Sequence, residues 1–418
     1  MEVVIENKVL EFVADFAKPT MVSAVRQQSL DALNGMDFPT TRVEEWKYTR
    51  VAKYTKKKYK QVQVTANVDA YKIAELEAHQ LVFVNGYYDE KASVILPDDA
   101  VTIKNIDELD EAFYTDLLDD TEENVFSLIN KAYYSGGSFV HIEKNQKAKY
   151  PIHIIHLLEG EGVIAMPRHF VHAESGSKAE VIVSFNSNNS ENSFSNPVFE
   201  GLVEENANLV IYKLQTEKKD VLHISRELFF QEKSSNFKID TVTIGGLLTR
   251  NQLDILVEGE NCYTELNGSY LGVDKQHVDN HTFVDQMYSH CVTNELYKGV
   301  MDDNSVGVFN GMILVRPGIK KIEAYQSNKN VLLSDKADVF SKPELEIYSD
   351  DVRCSHGSTI GALDEEALFY LQARGISKKS AEHLLIAAFI GDVLDKIQNE
   401  AVRKRVDHIF FVENGWEF

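Results

Sequence analysis

NLVIYKLQTEKKDVLHISRELFFQEKSSNFKIDTVTIGGLLTRNQLDILVEG, residues 208–259, holds four runs rich in β-branched and aromatic residues: NLVIYKLQ, ELFFQE, FKIDTVTI and QLDILVEG. Short polar or glycine-bearing breaks separate them, and none repeats its apolar positions at helical spacing, so each reads as a strand. The same texture extends outward to about Ser138 and Tyr348, through FVHIE, PIHIIHLL, AEVIVSF, GVFNGMILV and LEIYSDDV. Asn267-Gly268 and Asn310-Gly311 read as turn signals between such strands. A continuous β region of about 200 residues is too long for one small sandwich. Stacked coils of a β-solenoid accommodate it, because each coil buries its strands against the next. A large sandwich or double barrel is the alternative, since no strict repeat is visible.

The two ends are helical. Val22, Val25, Leu30 and Leu33 recur at helical spacing, Gly35 stops that helix, and Thr41 and Glu44 have the spacing of a capping box. From Arg42 to Lys60 positive charge and aromatics concentrate on an otherwise acidic chain, as a partner-docking segment or a solvated surface would. After Gly361, Asp364 can cap one helix and Gly375 end it, and Ser377 starts a longer one. Ala381, Leu384, Leu385, Ala388, Phe389, Val393, Leu394 and Ile397 cover so much of its circumference that it reads as covered on two sides, by the β core and by a partner. The resulting division is a helical region with short strands over 1–135, a β core over 136–349 and a helical domain over 350–418.

The chain has 418 residues, 44% hydrophobic and 26% charged, and its 43 Lys and Arg against 65 Asp and Glu leave a net charge of −22. That charge argues against nucleic-acid and anionic-membrane partners. Cys262, Cys291 and Cys354 are too few and scattered for a disulfide framework, which points to a reducing compartment, the cytoplasm. The first residues show no secretory signal. The longest strongly apolar run, Leu384–Ile390, is far short of the roughly 20 residues of a membrane span.

No phosphate-loop, dinucleotide-binding, nucleophile-elbow or zinc-protease motif is present, so nucleotide chemistry would have to come from another chain. Nine of the thirteen histidines lie between His141 and His290, including His153/His156, His277/His281 and His290 beside Cys291. On strands, i, i+3 residues face opposite ways and i, i+4 residues stand far apart, so this spacing favours imidazoles satisfied within the β core over a metal cage. The sharper pair is Cys354 and His356 in DDVRCSHG, residues 350–357, whose one-residue separation puts both on one face of a strand where they could share a soft metal or sulfide. Arg353 would point away. The bland alternative is a packed thiol beside a hydrogen-bonded imidazole.

Residues Tyr297–Ser377, YKGVMDDNSVGVFNGMILVRPGIKKIEAYQSNKNVLLSDKADVFSKPELEIYSDDVRCSHGSTIGALDEEALFYLQARGIS, strongly resemble the SufB/SufD family of iron–sulfur cluster assembly proteins. FPTTRVEEWKYT, Phe38–Thr49, resembles the amino-terminal motif of its SufD branch. Two departures from SufB agree. Where SufB carries a sulfur-accepting cysteine in Gln-Cys-Asp-Ser-Leu-Leu, this chain reads Gln326-Ser327-Asn328-Lys329-Asn330-Val331-Leu332-Leu333. Where SufB reads Glu-His-Glu-Ala-Thr, this chain has Ser355-His356-Gly357-Ser358-Thr359.

The resemblance implies a right-handed parallel β-helix flanked by helical terminal domains. It implies pairing with SufB through the β-helix cores, and a carboxy-terminal helical domain that binds the ATPase SufC, for which Leu384, Leu385, Ala388 and Phe389 are the candidate contacts. It further implies a transient iron–sulfur cluster at the SufB interface, with His356 and Cys354 beside it as this chain's contribution, a packed or redox-exposed thiol being the alternative for Cys354, and no nucleotide bound by this chain. The expected role is a non-catalytic scaffold. A passive adaptor with every ligand from SufB is the alternative, and self-pairing into a homodimer is open to the isolated chain. A β-helix carbohydrate-active enzyme is the remote alternative; it would need Asp254, Glu258, Asp279 and Asp285 to converge along a groove.

Overall fold

In the computed structural model, residues 7–16, 24–108 and 124–412 are described. They form a parallel β-solenoid of about eight turns with helices at its ends. One sheet runs from strand His79–Val84 through Ile152–Glu159 and successive coils to Val352–Gly361. The facing sheet runs from Val101–Asn105 and Gly136–Ile142 to Asp338–Ile347. Beyond the antiparallel pairs at the start, every coil pairs in parallel with the one before and the one after. Strands Leu222–Gln231 and Leu248–Val257 are buried on both faces and read as apolar without strict alternation, whereas Ile322–Leu332 alternates buried with more exposed positions over most of its length.

The corners explain why the chain can wind. Asn145, Gly176, Asn206, Ser234, Asn261, His290 and Lys321 occupy the same corner of successive coils, and each has positive φ. Each also donates its backbone N–H to a carbonyl of the following coil, from Asn145 to Ser175 through Lys321 to Asp351. Glycine and asparagine enter the left-handed region at little cost, and the ladder of backbone bonds holds the others there. The expected turns at Asn267-Gly268 and Asn310-Gly311 are not turns: both pairs lie inside strands, Tyr263–Gly272 and Val306–Val315. Their glycines serve packing instead. A Cβ on Gly268 would stand 2.2 Å from the Tyr297 ring, and one on Gly311 2.5 Å from the Gln326 amide.

The solenoid interior holds apolar columns, among them Val181, Ile211, Ile239 and Leu266, and a buried polar layer. In that layer Lys213 donates to Glu227 at 2.5 Å, to Ser225 at 2.8 Å and to Asn251 at 2.8 Å, and Asn251 donates on to Asn280 at 3.0 Å.

The amino-terminal helix expected around Leu30 and Leu33 is present as Ala24–Leu33; Val22 lies outside the described residues. The capping box at Thr41 and Glu44 does not form. A single 3-10 turn, Glu44–Trp46, stands there with no side-chain cap. The segment from Arg42 to Lys60 straps the solenoid's outside, with most of its charged side chains solvated and its anchors, Trp46, Thr49, Val51, Tyr54 and Tyr59, buried. Trp46 is buried under the Arg250 guanidinium, Tyr48 stacks on Phe340 at 4.2 Å, Tyr59 packs on Phe194, and Lys60 bridges to Val163. Thr49 donates to Asp279 at 2.5 Å.

At the other end, Asp364 caps helix Glu365–Ala373, Gly375 takes φ of +87°, and Ser377 caps helix Lys378–Leu394, as the sequence predicts. The long helix lays Ile386, Ile390 and Leu394 on Tyr212, Val242, Leu271 and Val300 of the sheet. Lys298 pins it by donating to the Phe389 carbonyl and to Asp392, both at 2.6 Å. No helix among the described residues is long and apolar enough to cross a membrane.

Candidate functional site at the open end

The solenoid stops at strands Asp338–Ile347 and Val352–Gly361, each paired on one side only. Cys354 and His356 sit on the second of these, above Ala324 and Gln326 of the coil beneath. Strand alternation puts 354, 356 and 358 on the same face. Cys354 packs half-buried against the end of the apolar core, and Ser358 reaches across to Ser341 of the facing strand at 2.7 Å. His356 is exposed. Arg353 points the other way, towards Glu323 at 3.4 Å, so it lends no charge to the thiol. Burial pushes the Cys354 thiol up from its ordinary value, which keeps it protonated at neutral pH while this end is uncovered.

A residue that the sequence did not suggest lies below. Gln326, directly under His356, donates to Glu295 at 2.7 Å, and Thr282 donates to the other Glu295 oxygen at 2.5 Å. Burial raises the Glu295 carboxyl to about 7, so a proton can be held two coils beneath the imidazole. No local spacing flags it, because it comes into line with His356 only through the coil register. The unfolded chain ionises this group near 4.5, whereas the fold favours its protonated form. The stability it contributes is therefore full below that value and is lost as pH rises through about 7, with a total span of about 3 kcal/mol. Glu295→Gln is expected to remove this loss, since the Gln326 amide oxygen has no partner and can turn to accept from the new amide. Urea melts of both chains at pH 5.5 and 8.5 check it: the gain of the variant on wild type should be larger at pH 8.5 by about 2 kcal/mol.

The histidine pairs do not form a cage. His153 and His156 are buried and leave opposite faces of their strand, His153 to Ser184 at 2.9 Å and His156 onto the Phe185 ring. Burial lowers His153 and His169 to about 3, so both are neutral. His277 and His281 do converge, but on Asp279: His277 reaches it through Thr49 at 2.8 Å and His281 lies 2.9 Å from its other oxygen. Burial works against that carboxylate's charge, yet the Arg250 guanidinium and the imidazoles hold it well below the usual range. This cluster anchors the strap. His290 is exposed at a coil corner, and Cys262 and Cys291 are buried in adjacent coils. Three of the four carboxylates that a sugar-cleaving site would need are held in ion pairs: Asp254 by Arg226, Asp279 by Arg250 and Asp285 by Arg316.

On the long C-terminal helix, Leu384 and Ala388 are exposed, while Leu385 and Phe389 are half-buried, the Phe389 ring lying under Lys298. The sequence reading missed their neighbours on the preceding helix, Phe369 and Tyr370, which are 73% and 58% exposed. Such exposure of two adjacent aromatics is unusual for a surface with no role.

Residues 156–389 match the family described as SUF system FeS cluster assembly, SufBD core domain, and residues 11–154 match the SufBD protein N-terminal region. The chain belongs to the SufBD family. An iron–sulfur cluster assembly SufBD family protein of Synechocystis is 31% identical over 91% of this chain and 88% of the relative. The iron–sulfur cluster assembly protein SufD of Escherichia coli is 28% identical over 93% and 92%, and SufD of Bacillus subtilis 23% over 93% of each. The chain is thus a SufD-like protein of the SUF iron–sulfur cluster assembly system, built as a SufBD scaffold.

Proposed function

We propose that this chain is the SufD-type scaffold of a cytoplasmic assembly complex, pairing with SufB through the open end of its solenoid and giving His356 to a composite cluster site. The observation that carries the reading is the placement of an exposed imidazole on the last, half-paired strand, beside a half-buried thiol. Two unpaired strand edges at one end offer backbone donors and acceptors to another sheet. A partner that covers this end would dehydrate His356 and let its neutral nitrogen ligate iron while the partner supplies thiolate and carboxylates. Cys354 stands close enough to add a sulfur ligand once deprotonated by the metal. The iron and sulfide are cargo here.

The exposed apolar face of Phe369, Tyr370, Leu384 and Ala388 is the proposed seat of the ATPase SufC, which would supply the nucleotide chemistry this chain lacks. Co-expression with SufB and SufC tests both parts. His356→Ala should leave complex recovery intact and remove most bound iron and sulfide. Unchanged iron and sulfide would make the chain a passive adaptor. Phe369→Asp should instead lose SufC and keep SufB.

A further inference from the structure

At the opposite end of the solenoid from His356, the coil corner that follows strands Gly136–Ile142 and Pro167–Ala173 carries a second group of metal-ligating side chains. His141 and His172 are register partners on these strands, with ring centroids 5.2 Å apart. Glu143, Glu174, Glu204 and Glu232 follow one above another where successive strands end; the last three donate their N–H to the coil before, and Glu143 donates to Ala100 beside the antiparallel strand Val101–Asn105. Part of this ladder has a plain structural role. Glu174 accepts from the Lys144 N–H at 2.7 Å, Glu204 from the Ser175 N–H at 2.9 Å and hydroxyl at 2.7 Å, and Glu232 from the Glu205 N–H at 3.2 Å. Each carboxylate thus uses one oxygen to hold a turn.

That role does not account for the imidazoles. His172 takes the second Glu204 oxygen in an ordinary hydrogen bond of 2.7 Å. His141 is different: its two nitrogens stand 3.4 Å from Glu143 and 3.4 Å from Glu174, longer than a good N–H···O bond. The two contacts use different ring nitrogens, Nδ1 to Glu143 and Nε2 to Glu174, and an ion takes only one of them; donors bound at about 2.1 Å to one tetrahedral ion are about 3.4 Å apart, so one carboxylate already stands at ligand separation and the other has to turn towards the same nitrogen. One ligand atom from each of His141, Glu143 and Glu174 lies within 4.8 Å of the others, the one such group of three among the described residues. The Phe139 ring stacks on His141 at 15° and fixes its plane, and the Lys144 bond fixes Glu174. Ligands oriented by partners outside the coordination sphere are what a metal site needs.

We infer that His141, Glu143 and Glu174 bind a first-row divalent transition-metal ion of the zinc or ferrous class, with water completing the sphere. An imidazole with two carboxylates suits such ions over magnesium, which prefers oxygen ligands alone. Glu232 is the internal control: it caps a turn in the same ladder, but the strand position that holds His141 and His172 in the earlier coils is Phe230 there.

The test uses the untagged full-length chain carrying Cys354→Ser and His356→Ala, which removes the other candidate donors and separates this site from the proposed cluster function. Equilibrium dialysis against Zn2+, and anaerobically against Fe2+, in excess Mg2+ should give one ion per chain. His141→Gln or Glu174→Gln should weaken binding at least about tenfold, and Glu232→Gln should not. Co2+ loading should give visible ligand-field bands that His141→Gln abolishes. Should His141→Gln fold poorly by circular dichroism, Glu143→Gln at the exposed corner takes its place. No stoichiometric uptake, or equal weakening by Glu232→Gln, overturns the site and shows general attraction to an acidic chain.

Discussion

A Gly137→Ala chain is expected to yield little folded protein, with a loss of stability above about 4 kcal/mol. Gly137 faces Arg168 of the next coil in register, and a Cβ on it would lie 1.6 Å from the Arg168 carbonyl oxygen and 2.7 Å from its carbon. The obstacle is backbone, so no rotamer change relieves it. The two strands would have to part beyond their roughly 4.8 Å spacing, breaking the ladder at the first complete coil. Gly391→Ala makes the contrast. That glycine lies within the long C-terminal helix with nothing within 4 Å of the added methyl, so the change should stabilise by about 0.5–1 kcal/mol. Soluble yield and thermal melts of the two variants check both; a Gly137→Ala chain melting within a few degrees of wild type would refute the packing argument.

Lys213→Met is expected to cost about 3–5 kcal/mol, because it strands a buried carboxylate. Lys213 is itself buried, and burial depresses its pKa while Glu227 opposes that. It is also the donor that joins Glu227, Ser225 and Asn251 across the two sheets. Removing the ammonium leaves three acceptors without it and a charge inside the solenoid. Removing the charge as well should restore much of the loss, since apolar or neutral replacements of whole buried pairs are often tolerated. Urea titrations of Lys213→Met and of the double variant with Glu227→Gln separate these cases. If the single variant is as stable as wild type, the pair is not the polar clamp it is described as.

Much of this architecture can be read from local chemistry. Strand runs such as FKIDTVTI, the caps at Asp364 and Ser377 and the stop at Gly375 are decided within a few residues of themselves, and the fold keeps them. What fails is anything set by stacking. Register partners in successive coils are 27 residues apart from Asn236 to Tyr263 but 31 apart from Val292 to Glu323, so the repeat has no fixed period to detect. The same irregularity hides the alignment of His356 over Gln326 and Glu295, and that of His141 with Glu174. Asn267-Gly268 misleads for the complementary reason: its glycine answers to a tyrosine ring one coil away, which no window of adjacent residues contains. The exposed Phe369 and Tyr370 escape notice because an apolar residue on a short helix looks the same in sequence whether it faces a core or solvent.

The outer strap bears on how such a protein can change over evolutionary time. A stack of coils is ordinarily free to lengthen by duplicating one unit, since each contacts only its neighbours. Here the segment from Tyr48 to Lys60 is fastened at Phe340, Asp279, Phe194 and Val163, strands from one end of the stack to the other. One inserted coil would move Phe340 away from Val163 by about 4.8 Å and pull a buried anchor from its seat. The strap is therefore a ruler: between its fastenings the number of coils is fixed, and inherited length variation should be confined to corner loops and to the ends beyond it.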